Sequence, residues 1–144
     1  MKLVDTNVLL YAVDDRSEQH RAAKGWLDSA LSGHISVGLS WLALVGFVRI
    51  STHPSFFEAP MSTGEAMDCV ELWTGAKSAH VLHPGVRHSS ILRELLEEVG
   101  HGGTLVSDAH LAALAKEHKA TVVTFDSDFA RFPGVRWEKP WSAD

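Results

Sequence analysis

A three-layer α/β fold, a short parallel sheet with helices on both faces, is predicted for this chain from two observations. Short strand-like runs alternate with longer stretches of helical periodicity along the sequence, the pattern of a parallel sheet covered on both sides. Caps and stops stand between the stretches: Ser40, the Ser62/Glu65 pair, Gly33, Gly75 and Gly100.

The first strand occupies residues 1–5, and Thr6 to Tyr11 then has the apolar spacing of a helical turn, with Asp5 at the junction. Glu18 to Leu31, preceded by Ser17, reads as a helix with Ala22, Ala23, Trp26, Leu27, Ala30 and Leu31 on one face. His34 to Val37 is a second short strand. Ser40 caps an apolar helix that is expected to be buried and to end near Ile50, because the residue before Pro54 avoids helical geometry. Ser62 and Glu65 have capping-box spacing and open a helix that turns Ala66, Cys69, Val70 and Trp73 inward. A third strand follows at His80 to Leu82. A helix from His88 to Val99 stops at Gly100, and another runs from Ser107 to His118 after the Gly102-Gly103 turn. Thr121 to Phe125, β-branched and aromatic, is the clearest strand. Trp26, Trp41 and Trp73 fit core faces, and the end from Pro140 to Asp144 is expected to fray.

At 144 residues and 45% hydrophobic content, residues 1–144 are expected to form one domain with a substantial core. The apolar start breaks at Asp5, too early for a signal peptide, and no later run approaches a bilayer span, so a soluble cytoplasmic protein without membrane contact is expected. Cys69 is the single cysteine, cannot form an internal disulfide and reads as a structural thiol. A net charge of −5 argues against a protein that coats nucleic acid by bulk electrostatics. It is compatible with a nuclease, because a carboxylate site carries negative charge that a divalent ion offsets.

Asp5, Asp108 and Asp126 stand where an open α/β sheet places its chemistry, past the carboxyl ends of strands or at helix starts. Asp128 lies two residues beyond Asp126. Each has an ordinary use: Asp5 as a helix cap, Asp108 as a first-turn acid behind an N-cap Ser107, and Asp126 with Asp128 as a turn. Their joint placement favours a shared site. Mg²⁺ prefers oxygen ligands, keeps several waters and is typically held by a few carboxylates plus substrate phosphate. In such a site a bound water becomes a nucleophile at neutral pH, which is the chemistry of phosphodiester hydrolysis.

Three motifs then carry a resemblance. Met1-Lys2-Leu3-Val4-Asp5-Thr6-Asn7-Val8-Leu9 resembles the opening of PIN-domain nucleases, especially VapC-type toxins. Leu105-Val106-Ser107-Asp108-Ala109-His110-Leu111-Ala112-Ala113-Leu114-Ala115 resembles the family's aspartate-bearing helix, and Thr124-Phe125-Asp126-Ser127-Asp128-Phe129 its C-terminal acidic motif. The resemblance covers essentially the whole chain. It implies a PIN-like fold and a Mg²⁺- or Mn²⁺-dependent endoribonuclease, the toxin of a toxin–antitoxin pair, restrained by a VapB-type antitoxin and forming a homodimer or higher oligomer. By motif position Asp5, Asp108 and Asp126 would be the catalytic, metal-holding acids, with Asp128 added to the metal set. Thr6, Asn7 and Ser107 would orient them, and Arg49 would contact RNA or antitoxin. The chain departs from the family where Gly46 precedes Phe47-Val48-Arg49, since many members carry a glutamate three residues before the arginine. This opens three explanations: fewer direct metal ligands with more water, compensation by another acid such as Asp128, or a weakened nuclease. Gly46 also has a structural reading, since glycine within an apolar helix permits close packing of a neighbouring element.

Other chemistries fit less well. The nine histidines are scattered and lack cysteine partners or a two-histidine helical motif, which argues against zinc. No Gly-x-Ser-x-Gly elbow supports a serine hydrolase, and the glycines at 100, 102 and 103 lack dinucleotide-binding spacing. An aspartate phosphotransfer enzyme built on Asp126-Ser127-Asp128 is an alternative, placed unusually late in the chain. A second alternative is a PIN-fold interaction module with a weakened metal site, motivated by Gly46 and by Phe56, Phe57 and the tryptophans as interface residues.

Overall fold

The computed structural model describes residues 1–141. In chain order its elements are β1 (Lys2–Val4), α1 (Thr6–Val13), α2 (His20–Ser32), β2 (Val37–Leu39), α3 (Trp41–Ser51), α4 (Thr63–Thr74), β3 (Ala79–Val81), α5 (His88–Val99), α6 (Leu105–His118), β4 (Thr121–Val123) and β5 (Trp137–Glu138). A 3-10 helix, Ser127–Arg131, lies between β4 and β5. All five strands are parallel in the order β3-β2-β1-β4-β5.

Alternation along the two central strands separates two cores. Val4 and Val123 face a cluster containing Trp26, Leu27, Phe47 and Trp73 from α2, α3 and α4. Leu3 and Val122 face the other side, against Ile91, Leu95, Leu114 and Phe129. Strands covered on both faces need apolar side chains throughout, and β1 and β4 supply them. The sheet with its two helical layers is the three-layer α/β fold expected.

The local chemistry explains most boundaries. Ser40 accepts from Ala43 N–H at 3.1 Å and starts α3, and Ser62 and Glu65 exchange two 3.0 Å bonds in a complete capping box. Gly100, at φ 80°, ends α5 in the left-handed conformation that glycine adopts without strain.

Five expectations need correction. The second strand is Val37–Leu39, not His34 to Val37, and it contains Gly38: a Cβ there would lie 2.7 Å from Leu82 Cδ1, so the glycine serves close packing and does not break the strand. Helix α2 begins at His20 because Ser17 and Gln19 form a turn, with Gln19 N–H donating to Ser17 Oγ at 3.1 Å. Helix α6 begins at Leu105, which makes Ser107 its third residue and not its cap. Trp41 is 49% exposed instead of buried, and Leu42 and Val45 are also exposed. Helix α3 is therefore covered on one side only. Its sequence is apolar all round, so periodicity alone could not separate the covered face from the open one. Finally, β5 was not expected; it is a two-residue strand whose sequence, Trp137-Glu138, lacks any strand pattern and pairs with Val122 and Val123. The expected fraying of the last residues lies mostly outside the described residues.

Candidate active site

The strand order dictates where a site can form. From β1 the chain moves outward through β2 to β3, then returns by α5 and α6 to β4 on the other side of β1. That reversal leaves a crevice at the carboxyl ends of β1 and β4, the usual ligand position in open parallel sheets. Asp5 follows β1, Asp126 lies shortly after β4, and α6 brings Asp108 in its first turn to the same end. All three line one open cleft of about 360 Å³, together with Thr6, Asn7, Ser107 and the α3 residues Leu42, Gly46, Arg49 and Ile50. Asp128 is not in the cleft wall, although its charge acts on Asp108.

Asp5 is held on both oxygens. Its Oδ1 accepts from Thr6 N–H at 2.7 Å, and its Oδ2 accepts from Thr124 Oγ1 at 2.8 Å and Asn7 Nδ2 at 3.3 Å. Asn7 also donates to Thr124 Oγ1 at 3.1 Å and accepts from Phe125 N–H at 3.1 Å. Thr124 Oγ1 receives Asp126 N–H at 3.0 Å as well. One donor and two acceptor sites exhaust a hydroxyl's capacity, so the fully buried Thr124 ties the first acidic motif to the last. Sequence reasoning missed this residue. Its signal was available: a hydroxyl at a strand end, two residues before an aspartate.

The structural uses of the aspartates coexist with their convergence. Asp5 caps α1, and Asp126 Oδ1 caps the 3-10 helix by accepting Asp128 N–H at 2.9 Å. Asp108 differs: among the described residues its carboxylate receives no hydrogen bond, including from Ser107, and α6 alone positions it. Among the described residues no Lys or Arg makes an ion pair with Asp5, Asp108 or Asp126. Burial, followed by the charges of Asp5, Asp126 and Asp128, pushes Asp108 up to about 7. Burial also raises Asp5, against the hydrogen bonds from Thr124 and Thr6.

Residues 2–135 match the PIN domain family. The chain belongs to that family. Ribonuclease VapC37 of Mycobacterium tuberculosis is 51% identical to this PIN domain over 97% of both chains. Ribonuclease VapC33 of the same organism is 38% identical over 97% of this chain and 98% of its own. The solved structure of Mycobacterium tuberculosis VapC20, a sarcin–ricin loop cleaving toxin, superposes with a TM-score of 0.69 at 18% identity, covering 94% of this chain and 99% of that one. VapBC2 from Rickettsia felis, solved bound to a promoter DNA fragment, gives 0.67 at 17% identity over 96% and 97%.

This PIN domain offers donors suited to a hard cation. Among the described residues no group of three or more His, Cys, Asp or Glu side chains is arranged to hold a metal ion unaided. The cleft instead presents carboxylates that no Lys or Arg pairs among the described residues, which fits an ion that keeps waters and shares its shell with a phosphate. Gly46 bounds the same space. A Cβ there would stand 3.1 Å from Thr6 Oγ1, which donates to Ala43 O at 3.2 Å, so the missing side chain lets α3 approach the start of α1. The remaining polar features carry no further acid into the cleft, and burial pushes the half-buried Cys69 thiol up, away from reactivity.

The raised Asp108 predicts a pH effect. A carboxyl group raised in the folded chain binds its proton more tightly there than when unfolded. The stability it contributes is present below its ordinary value of 3.8 and is lost as pH rises through the window to about 7. Metal-free Asp108→Asn is therefore expected to melt higher than the wild type at pH 8, by about 1–2 kcal/mol after solvent screening, and equally at pH 4. Thermal unfolding at the two pH values checks this; equal differences at both would contradict it.

Proposed function

We propose that this chain is a metal-dependent endoribonuclease, the toxin of a toxin–antitoxin pair, with Mg²⁺ or Mn²⁺ in the carboxylate cleft. The observation that carries the proposal is the convergence of Asp5, Asp108 and Asp126 at one cleft, with no ion pair from Lys or Arg to any of them among the described residues. The ribonuclease names of relatives at 51% and 38% identity over nearly the whole chain supply the substrate class. Asp5 and Asp108 would hold the ion, with Asp126 beside them and Asp128 reaching through water.

When bound, the ion would supply a water acidic enough to attack phosphorus and charge to stabilise the leaving oxygen. The chain's own residues do the rest. Asn7 and Thr124 fix Asp5 Oδ2 and the Thr6 N–H fixes Oδ1, and Asp108 must give up its proton before it can act as a ligand. Arg49, on the opposite wall, offers a cation to an RNA phosphate. The exposed Leu42 and Val45 give this wall an apolar surface for a ribose or base.

The test is incubation of purified, partner-free protein with mixed RNA and Mn²⁺ or Mg²⁺, with and without chelator. Metal-restored, chelator-sensitive cleavage is expected. Folded protein that cleaves nothing with either ion would shift the assignment to an interaction module, and a trapped aspartyl phosphate would shift it to phosphotransfer.

The partner would be a cytoplasmic VapB-type antitoxin. Structural neighbours include VapBC complexes from Rickettsia felis and Haemophilus influenzae. We place the antitoxin's apolar segment against the region from Arg49 to Phe57, where Phe56 is exposed, with a basic or polar side chain approaching the aspartates. Unchanged antitoxin affinity after Arg49→Ala and Phe56→Ala together would count against this placement.

A further inference from the structure

Asp108 depends on α6 for its position, and apolar packing alone does not determine how α6 is turned. Five consecutive residues, Leu111 to Ala115, are all buried, so no dry face opposes a wet one over this stretch. Three of the five are alanines, whose small side chains interlock weakly. Directional contacts must then specify the setting.

Those contacts are concentrated in one place. Among the described residues, every side-chain hydrogen bond from α6 to another element runs to residues 83–88. Glu117 Oε1 accepts Gly85 N–H at 2.9 Å, and Glu117 Oε2 lies 2.7 Å from His88 Nδ1. His88 Nε2 lies 2.9 Å from His110 Nδ1, and His118 Nε2 lies 3.0 Å from His83 O. With both rings neutral, His88 donates to Glu117 and accepts from His110, so each link has its donor and acceptor. The His88 and Glu117 side chains are only 12% and 9% exposed. His110 and Glu117 are seven residues apart, two turns, and therefore on one face of α6. Asp108, two residues before His110, projects to roughly the opposite side.

We propose that Glu117, His88 and His110 form a clamp on the back of α6 that sets its rotation and so holds Asp108 toward Asp5. These are positioning residues, and the functional part of the inference rests on the carboxylate cleft being the reacting site. The decisive variant replaces the whole chain with apolar groups, His88→Leu, His110→Leu and Glu117→Met together, because removing a buried network entirely leaves fewer orphaned groups than cutting it once. The readout is the Asp5–Asp108 carboxyl separation in crystal structures of the wild-type and variant proteins, which requires neither metal nor activity.

In the clamp-free variant this separation is expected to change by about 1 Å or more, with cleavage about tenfold or more slower. Glu117→Gln can accept from Gly85 and donate to the other His88 tautomer, so it is expected to keep the wild-type separation and most of the cleavage. If the triple variant does not fold, His88→Leu alone, which cuts both links from α5 to α6 and leaves Glu117 its bond from Gly85, carries the same expectation. A folded clamp-free protein with the wild-type separation would overturn the inference. Wild-type protein that cleaves no RNA would overturn the nuclease reading instead, while the separation still decides the clamp.

Discussion

Asp108→Asn is expected to slow RNA cleavage by at least about a thousandfold, roughly 4 kcal/mol of transition-state stabilisation, while leaving the protein folded. The substitution is nearly isosteric and, because the carboxylate has no hydrogen-bond partner among the described residues, it breaks no structural contact. What it removes is a charge that burial and three neighbouring acids already oppose. Loss of cleavage should therefore accompany unchanged or increased stability in metal-free buffer. That combination separates a reacting group from a structural one, for which activity and stability fall together. Cleavage within tenfold of the wild type, measured beside a chelator control to expose contaminating nuclease, would remove Asp108 from the reaction.

The acidic motifs were legible in the sequence because each stands at the end or start of an element whose pattern is strong. Asp5 comes after an apolar strand, and Asp126 comes after β-branched residues. Asp108 lies in the first turn of an apolar helix. Sheet topology converts those three local positions into one place, which is why motifs more than a hundred residues apart could be assigned to one cleft. The parts that were not legible depend on long-range geometry. Trp41 and Val45 look like core residues in any window, and only the tertiary arrangement shows that their side of α3 faces outward. Gly38 looks like a strand breaker until Leu82 is seen against it. Trp137-Glu138 becomes a strand only because β4 offers it an edge.

Gly46, at the site itself, was legible in kind but not in partner. From sequence it is a missing acid and a glycine that permits close packing of some neighbouring element. In the fold it lies against Thr6, so its absent side chain contributes to the junction of α1 and α3, and any larger residue presses on the Thr6 hydroxyl that donates to Ala43 O. The structural use and the loss of a carboxylate are consequences of one substitution, and restoring an acid here cannot be treated as adding a ligand to an otherwise unchanged site.

Thr124→Val is the second large effect expected. The hydroxyl it removes donates to Asp5 and accepts from Asn7 and from Asp126 N–H, at 2.8, 3.1 and 3.0 Å. Valine preserves shape but leaves buried partners unsatisfied, so about 2–3 kcal/mol of stability should be lost. The functional loss should be about 10–100-fold, because residues that orient metal ligands have effects of that size. Destabilisation alone does not predict the second number: a protein still folded at the assay temperature would cleave normally. Thr124→Ser supplies the discriminating comparison. It keeps all three hydrogen bonds and loses one methyl group from the buried strand end, so it should be less stable than the wild type yet cleave at nearly the same rate. Cleavage that instead follows melting temperature across the threonine, serine and valine proteins would show that Thr124 supports the fold without orienting Asp5.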